Sequence, residues 1–429
     1  MTCQYVICYN HIINNTGTKG IHKIMALSFY YISDGKAHLY KDDKETELSW
    51  YVLNSYIEKV KSSAKRNEWK HSGSGAAFTG TYEAGADAES RVSSIFSRVN
   101  CMSEYNGELL YSMTIDNTTG IYRKAKDDNS ADGIIISDAD NAYLDFDVKD
   151  GRIVLSSAFA GESHIGVMYV GDSYCRIYTE GRSWDSSPVW SASDPDKIYF
   201  CCAGLPINDN PEPRNEKPKS YGEIINEIYS AAASSVRGPS SVCVFDLIDG
   251  SIDEVLSNDR YDYVHPQSTS DGSLYYIRKP YESGVARSNP LGCLADVVLF
   301  PVRILGALFG FLNVFSAKYS GKTLSRNTDV KKRNEAEVFI DGNLINAEKE
   351  LKANRDRGDK NPGIIPRSWE LHRLSADGRD TIIRTGVAAF KVCEDDGSIL
   401  VSNGSHILRL TSDGKEEKIL SAPKVSFIR

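Results

Sequence analysis

The stretch SSPVWSASDPDKIYF, Ser186–Phe200, holds a short β-prone run, a polar turn and an apolar run in immediate succession. Val, Ile, Tyr and Phe fit a pleated, half-buried strand. The turn residues Asp194, Pro195 and Asp196 punctuate the two runs. The same plan recurs as YNGELLYSM from Tyr105, KDGRIVLSS from Lys149, SDGSLYYIR from Ser270 and DDGSILVSN from Asp395. A less regular copy, LSFYYIS, starts at Leu27. Asp-Gly and Asn-Gly supply the positive φ angles that tight hairpins need.

A second run follows each first one: AHLYKD, TGIYRKA, CRIYTEG, SVCVFDLIDG, WELHRLSADG and HILRLTSDG. Several copies add a third run, as in IDEVLS, DTIIR and EEKIL, and a short lead-in strand, as in SPVWSA and AAFKVCE. Each unit thus has four strands. Gly107 to Gly151 spans 44 residues and Gly151 to Asp196 spans 45. The next gaps, to Gly272 and Gly397, are 76 and 125. The first of these holds a Pro-rich polar stretch at about 205–238, the second a segment over 281–366. Without them both gaps shrink to one repeat. Four-stranded repeats of about 40–50 residues predict a β-propeller.

The expected fold is therefore all-β: a six-bladed β-propeller of four-stranded blades, with a mostly helical insertion in the fifth blade. Residues 1–24 form an N-terminal extension, and Met25 is an alternative start because regular patterning begins there. Residues 25–280 carry blades 1 to 5, and 367–429 the end of blade 5, blade 6 and a ring-closing strand. KVSFIR, Lys424–Arg429, follows the last unit, and the first unit lacks a lead-in strand. The two fit together as the closure of the ring, with CQYVICY near the N-terminus as the competing donor. Closure removes exposed sheet edges.

SSPVWSASDPDKIYF and VHPQSTSDGSLYYI resemble the repeats of TolB-like six-bladed propellers, in which a short strand, a Ser-Asp-Gly turn and an apolar strand recur once per blade. The resemblance covers nearly all of the chain outside the insertions. It implies the fold and leaves the function open, because this superfold hosts scaffolds, sensors and enzymes alike.

Composition is that of an ordinary globular chain, with 41% hydrophobic and 25% charged residues in 429. The net charge of -8 argues against nucleic acid as a partner. Nine cysteines without a CxxC read as reduced, mostly buried thiols. The N-terminus lacks the pattern of a secretory signal. The expected location is cytoplasmic, at the inner face of a membrane.

The membrane enters through LFPVRILGALFGFLNVFSAKYSGKT, Leu299–Thr323. A helix over 294–317 would set Val298, Leu305, Leu308, Phe309, Leu312 and Phe315 on one apolar face. Lys318 and Lys322 open a basic flank. That combination is the pattern of an interfacial anchor on anionic lipid. A helix packed on the propeller and a protein-contact surface are the alternatives. A single bilayer crossing is excluded by topology, since strands of one blade lie on both sides of the segment. SAKYSGKT has Ser316 where a phosphate-binding loop needs its first Gly, so no nucleotide site is expected. A second, charged helix is expected at about 346–356.

No catalytic motif emerges. HSGSGAAF carries Ser72 where a nucleophile elbow needs Gly. The histidines, among them His38, His164, His265, His372 and His406, are scattered over the blades. Asp138, Asp140, Asp145, Asp147 and Asp150 are out of step with an EF-hand loop, and DFDV fits an inner strand. No cofactor and no metal are expected. The sequence supports a non-catalytic binding scaffold for an unknown protein or peptide, attached peripherally to a membrane surface. The alternative is a hydrolase or lyase with its site at the channel mouth, for which His, Asp and Arg would have to converge there.

Overall fold

A computed structural model describes residues 27–67, 92–93, 95–127, 130–205, 237–281, 337–340 and 343–429. The described chain is mostly β. Successive antiparallel meanders pair in chain order, as in a β-propeller. The first sheet joins β1 (Ser28–Ser33), β2 (Lys36–Lys41) and β3 (Lys44–Glu47) to the last strand of the chain, β26 (Val425–Ile428). The second comprises β4 (Ser97–Tyr105), β5 (Glu108–Ile115), β6 (Thr118–Arg123) and β7 (Gly133–Asp138).

Next come β8 (Ala142–Lys149), β9 (Arg152–Phe159), β10 (Glu162–Tyr169) and β11 (Arg176–Ile177), then β12 (Ser183–Trp190), β13 (Lys197–Gly204), β14 (Ser241–Asp246) and β15 (Ile252–Leu256). These two sets are joined into one sheet by a single parallel bridge, Ser163 to Trp184. The run CRIYTEG supplies only the two-residue edge strand β11, and the full partner of β9 is instead β10, ESHIGVMY. Gly166 within β10 and the Ala160-Gly161 turn before it weaken the strand pattern of ESHIGVMY.

Two further sheets complete the set. One holds β16 (Tyr261–Ser268), β17 (Leu274–Pro280), β20 (Glu370–Leu374) and β21 (Asp380–Thr385); the other holds β22 (Ala389–Cys393), β23 (Ser398–Ser402), β24 (His406–Leu410) and β25 (Glu416–Ser421). Between β17 and β20 lie the hairpin β18 (Glu337–Ile340)–β19 (Asn343–Asn346) and helix α2 (Ala347–Asp356), capped by the Asn346 side chain. Helix α1 (Tyr51–Asn67) joins the first two sheets. Val52, Leu53 and Tyr56, one helical face, pack on the core made by Ile32, Val99, Met102 and Tyr111.

The lead-in strands touch one another around an axis. The Cys101 thiol donates to Phe146 O at 3.3 Å, linking β4 to β8. Ala192 N, just past β12, donates to Ser268 Oγ at 3.1 Å, linking it to β16. The Gln267 amide donates to Phe390 O at 2.8 Å and accepts from Val392 N at 3.1 Å, linking β16 to β22. Val425 and Ile428 of β26 share a core with Ala389 of β22.

Five lead-in strands, β4, β8, β12, β16 and β26, carry a bulge. In β12 the ladder skips from Ser186–Cys201 to Val189–Tyr199, and in β16 from Val264–Ile277 to Gln267–Tyr275. The skipped pairs are Ser187-Pro188 and His265-Pro266, whose first residues hold φ values of 50 and 54. Proline lacks a ladder N–H, and a bulge is where none is needed.

The strand directions separate two ends. At one end lie the Asn106-Gly107, Asp150-Gly151 and Asp271-Gly272 turns, which join each lead-in strand to its partner. At the opposite end the long connections leave. Residues 68–91 run into β4, 206–236 follow β13, and 282–336 follow β17, whose Pro280 faces Tyr261 at the start of β16.

Candidate functional site

The axis gathers charge at its tight-turn end. Arg429 follows β26 and is tied to β1 by reciprocal backbone bonds with Tyr30, each 2.7 Å. Its Nη2 donates to Asp147 Oδ1 at 2.5 Å and to Ser103 Oγ at 3.1 Å. One guanidinium thus spans three sheets. Asp147 also accepts from Trp190 N at 3.1 Å and Val148 N at 2.9 Å. Asp145 accepts from Ser187 N at 3.2 Å. Glu104 lies beside Arg429 and takes the Tyr30 hydroxyl, which burial and this carboxylate push up. Lys391 lines the same region, and burial pushes its ammonium down.

Asp145 and Asp147, the centre of the acidic run, therefore act as backbone acceptors and as the counter-ion of Arg429. Asp138 accepts from Asn141 Nδ2 and Asp140 N, both at 2.8 Å, and these bonds hold its carboxyl below the usual range. Among the described residues no group of three His, Cys, Asp or Glu is placed to hold a metal ion.

The described histidines sit on separate strands. His38 stacks on Tyr31 with 4.9 Å between ring centres, and the Tyr31 hydroxyl donates to Glu45 at 2.6 Å. His372 stacks on Tyr276 at 5.3 Å, with Asp380 3.0 Å from Nδ1 and Glu370 3.2 Å from Nε2. Tyr111 on Tyr122, with the Tyr111 hydroxyl donating to Asp132 at 2.6 Å, repeats the device in the second sheet. An aromatic pair on the two middle strands with a carboxylate at its edge is a recurring way to fill a blade.

Glu370 carries a testable charge. Burial alone would raise its carboxyl, but hydrogen bonds from Arg278 and His372 outweigh burial and hold it below the usual glutamate value of 4.5. A carboxyl depressed in the folded chain stabilises it fully above its unfolded value, and that contribution is lost as pH falls through the lower folded value. Unfolding free energy in urea should therefore fall below about pH 4.5 partly through this group. Glu370→Gln should flatten that acid limb. An unchanged acid slope in the variant would show that the pair contributes nothing.

The predicted contact residues Val298, Leu305, Leu308, Phe309, Leu312, Phe315, Lys318 and Lys322 lie outside the described residues, as do Ser72 and SAKYSGKT. None of the six described cysteines, Cys101, Cys175, Cys201, Cys202, Cys243 and Cys393, is in a disulfide. No described helix is long and apolar enough to cross a membrane. The strands flanking the insertion are direct neighbours: β17 pairs with β20 from Leu274–Leu374 to Arg278–Glu370. Sequence patterns missed the Arg429–Asp147 pair, and the available signal was an Asp-x-Asp in a lead-in strand whose counterparts carry Ser-Pro and His-Pro.

No family model matches the chain, and no curated protein matches it. Among solved structures, TolB from Acinetobacter baumannii is similar over 94% of this chain and 65% of that one, at 7% identity and a TM-score of 0.44. This chain thus spans under two thirds of that protein's length. A putative TolB from Agrobacterium tumefaciens is similar over 77% and 84%, at 9% identity and a TM-score of 0.38. An oligogalacturonate lyase from Vibrio parahaemolyticus is similar over 76% and 79%, at 9% identity and 0.36. At these similarities the architecture rests on the chain's own strand pairing.

Proposed function

We propose that the chain is a six-bladed β-propeller, closed by β26, that works as a non-catalytic binding module. In this reading the end that carries the insertions meets a protein or peptide partner. The apolar segment 294–317 holds the module peripherally on an anionic membrane surface, on the cytoplasmic side. The observation that carries the reading is the separation of the two ends. Long connections gather at one end, where loops from several blades can form one surface. The charges of Arg429 and Asp147 at the other end are spent on each other.

Peripheral attachment, rather than a crossing, is supported by the direct pairing of β17 with β20. A single crossing between them would place neighbouring strands of one sheet in different compartments. The composition of 294–322 supplies the lipid side of the reading: a broad apolar face, then Lys318 and Lys322. Apolar burial and attraction to anionic headgroups add at such a surface.

Vesicle co-sedimentation tests this. The full chain should pellet with anionic vesicles at low salt and less at high salt, because the Debye length shrinks. It should not pellet with neutral vesicles to the same extent. A chain lacking 294–318 should stay in the supernatant and keep its thermal unfolding transition. If the deleted chain sediments as well as the full one, the attachment reading fails.

A further inference from the structure

β13 and β14 carry Cys202 and Cys243 on one face. Phe200 stands opposite Cys243 and Cys202 opposite Ser241, so the two cysteines are diagonal neighbours across the ladder. Their thiols are hydrogen-bonded to each other. Both side chains pack at the core formed by Ile198, Phe200 and Phe245. Cys201, next along β13, enters a separate core with Leu274 and Tyr276. Asp185 faces Cys202 across β12 and β13, and its Oδ2 accepts from Thr179 Oγ1 at 2.5 Å.

This setting makes the two sulfurs chemically unequal. The bond to Cys243, burial and the Asp185 carboxylate all hold the proton on Cys202. Accepting that bond pulls the Cys243 thiol down, against its burial. A thiolate is the form that attacks an oxidant, and a thiol in contact with it is the form that resolves the product. Burial pushes the Cys101 and Cys175 thiols up to about 12 and about 11, away from the reactive form. Cys202 is only half-buried, whereas Cys243 is buried. A reagent little larger than water therefore approaches the pair from the Cys202 side.

We propose that Cys202 and Cys243 form a peroxide-reactive dithiol that closes to a reversible disulfide. The Cys243 thiolate attacks one oxygen of a hydroperoxide. The O–O bond breaks, hydroxide leaves, and Cys243 becomes a sulfenic acid. The Cys202 sulfur then attacks the Cys243 sulfur. The S–O bond breaks, and the hydroxyl departs with the Cys202 proton as water. The two thiols lose two electrons and two protons, and with hydrogen peroxide both oxygens end as water. Diagonal neighbours stand about 7 Å apart at Cα, the long limit for a disulfide. The bond is thus strained and readily reduced, as a reversible disulfide is. It ties together the two strands between which residues 206–236 leave and return. The inference goes beyond the binding-module reading and does not depend on it.

The test treats the reduced full chain with hydrogen peroxide under native conditions. Intact mass should fall by two hydrogens, and peptide mapping should find Cys202 joined to Cys243. The pair should react ~10-fold or more faster than Cys101 or Cys175. Dithiothreitol should restore both thiols. In Cys202→Ser, Cys243 should gain oxygen instead of forming the cross-link, because the resolving thiol is gone. In Cys243→Ser, Cys202 should oxidise ~10-fold or more slowly. The mapping on the unaltered chain stands even where a variant folds poorly. Three results would overturn the proposal: thiols that react only after denaturation, a cross-link that joins another pair, or equal oxidation rates at all the described cysteines.

Discussion

A chain shortened to residues 1–423 is expected to lose more than ~5 kcal/mol of stability, enough to abolish or severely weaken its cooperative urea transition. The strand removed, β26, completes the first sheet, with Ile428 facing Tyr31 and Val425 facing Ser33. Val425 and Ile428 are almost wholly buried, and burial of such side chains contributes roughly 1.5–3 kcal/mol each. Truncation also removes Arg429 from Asp147, a carboxylate only 7% exposed. Breaking a fully buried pair by removing one partner costs roughly 3–5 kcal/mol, an upper bound here because the Arg429 side chain is 33% exposed. The lower part of that range applies, because Asp147 keeps its bonds from Trp190 and Val148. Opening the ring would also expose the unpaired edge of β1 and invite aggregation. Arg429→Ala in the full chain separates the two contributions, since it removes the charge and leaves the strand. Superimposable unfolding curves for the short and full chains would show that β26 does not hold the ring.

The closing pair also marks what a sequence can and cannot show. Asp150-Gly151, Asp271-Gly272 and Asn106-Gly107 are local signals, because the left-handed φ of a tight turn is a property of the residues themselves. Strands with such turns could be read directly. Arg429 and Asp147 lie 282 positions apart, and nothing near either residue encodes the partner. Helix α1 is a different case. Val52, Leu53 and Tyr56 have helical spacing, yet β-prone Tyr51, Val52 and Tyr56 obscure it. The helix is settled by its packing under Trp50 and by the Tyr56 hydroxyl on Asp116 at 2.6 Å. The stack of the Arg237 guanidinium on the Trp184 ring was equally silent, because it joins a residue that follows one insertion to the start of a lead-in strand.

Gly363→Ala is the second large effect expected, a loss of ~3 kcal/mol, at the upper end for overpacking. A Cβ at Gly363 would stand closer than 3.0 Å to the carbonyl oxygen, Cβ and Cγ of Asn403. The neighbour cannot retreat cheaply, because Asn403 O accepts from Ile364 N at 3.0 Å and Ile365 N at 3.3 Å. The Asn403 side chain donates to Asn361 O at 2.8 Å, and Asn354 Nδ2 donates to Gly363 O at 2.9 Å and Ile365 O at 3.2 Å. Through these bonds the stretch after α2 is fastened to the turn between β23 and β24. Ile340, Ile345, Ile364, Ile365 and Trp369 then form a small core beneath it with Ala388. Gly204→Ala is the control, since nothing lies within 4 Å of a Cβ there and its φ is ordinary. It should change stability by a few tenths of a kcal/mol at most. Chemical unfolding of the two variants side by side decides the matter. Equal stability would mean that the described part of the insertion rests loosely on the ring. A selective loss at Gly363 would mean that it is built into the ring, leaving 282–336 as the part whose removal should spare the fold.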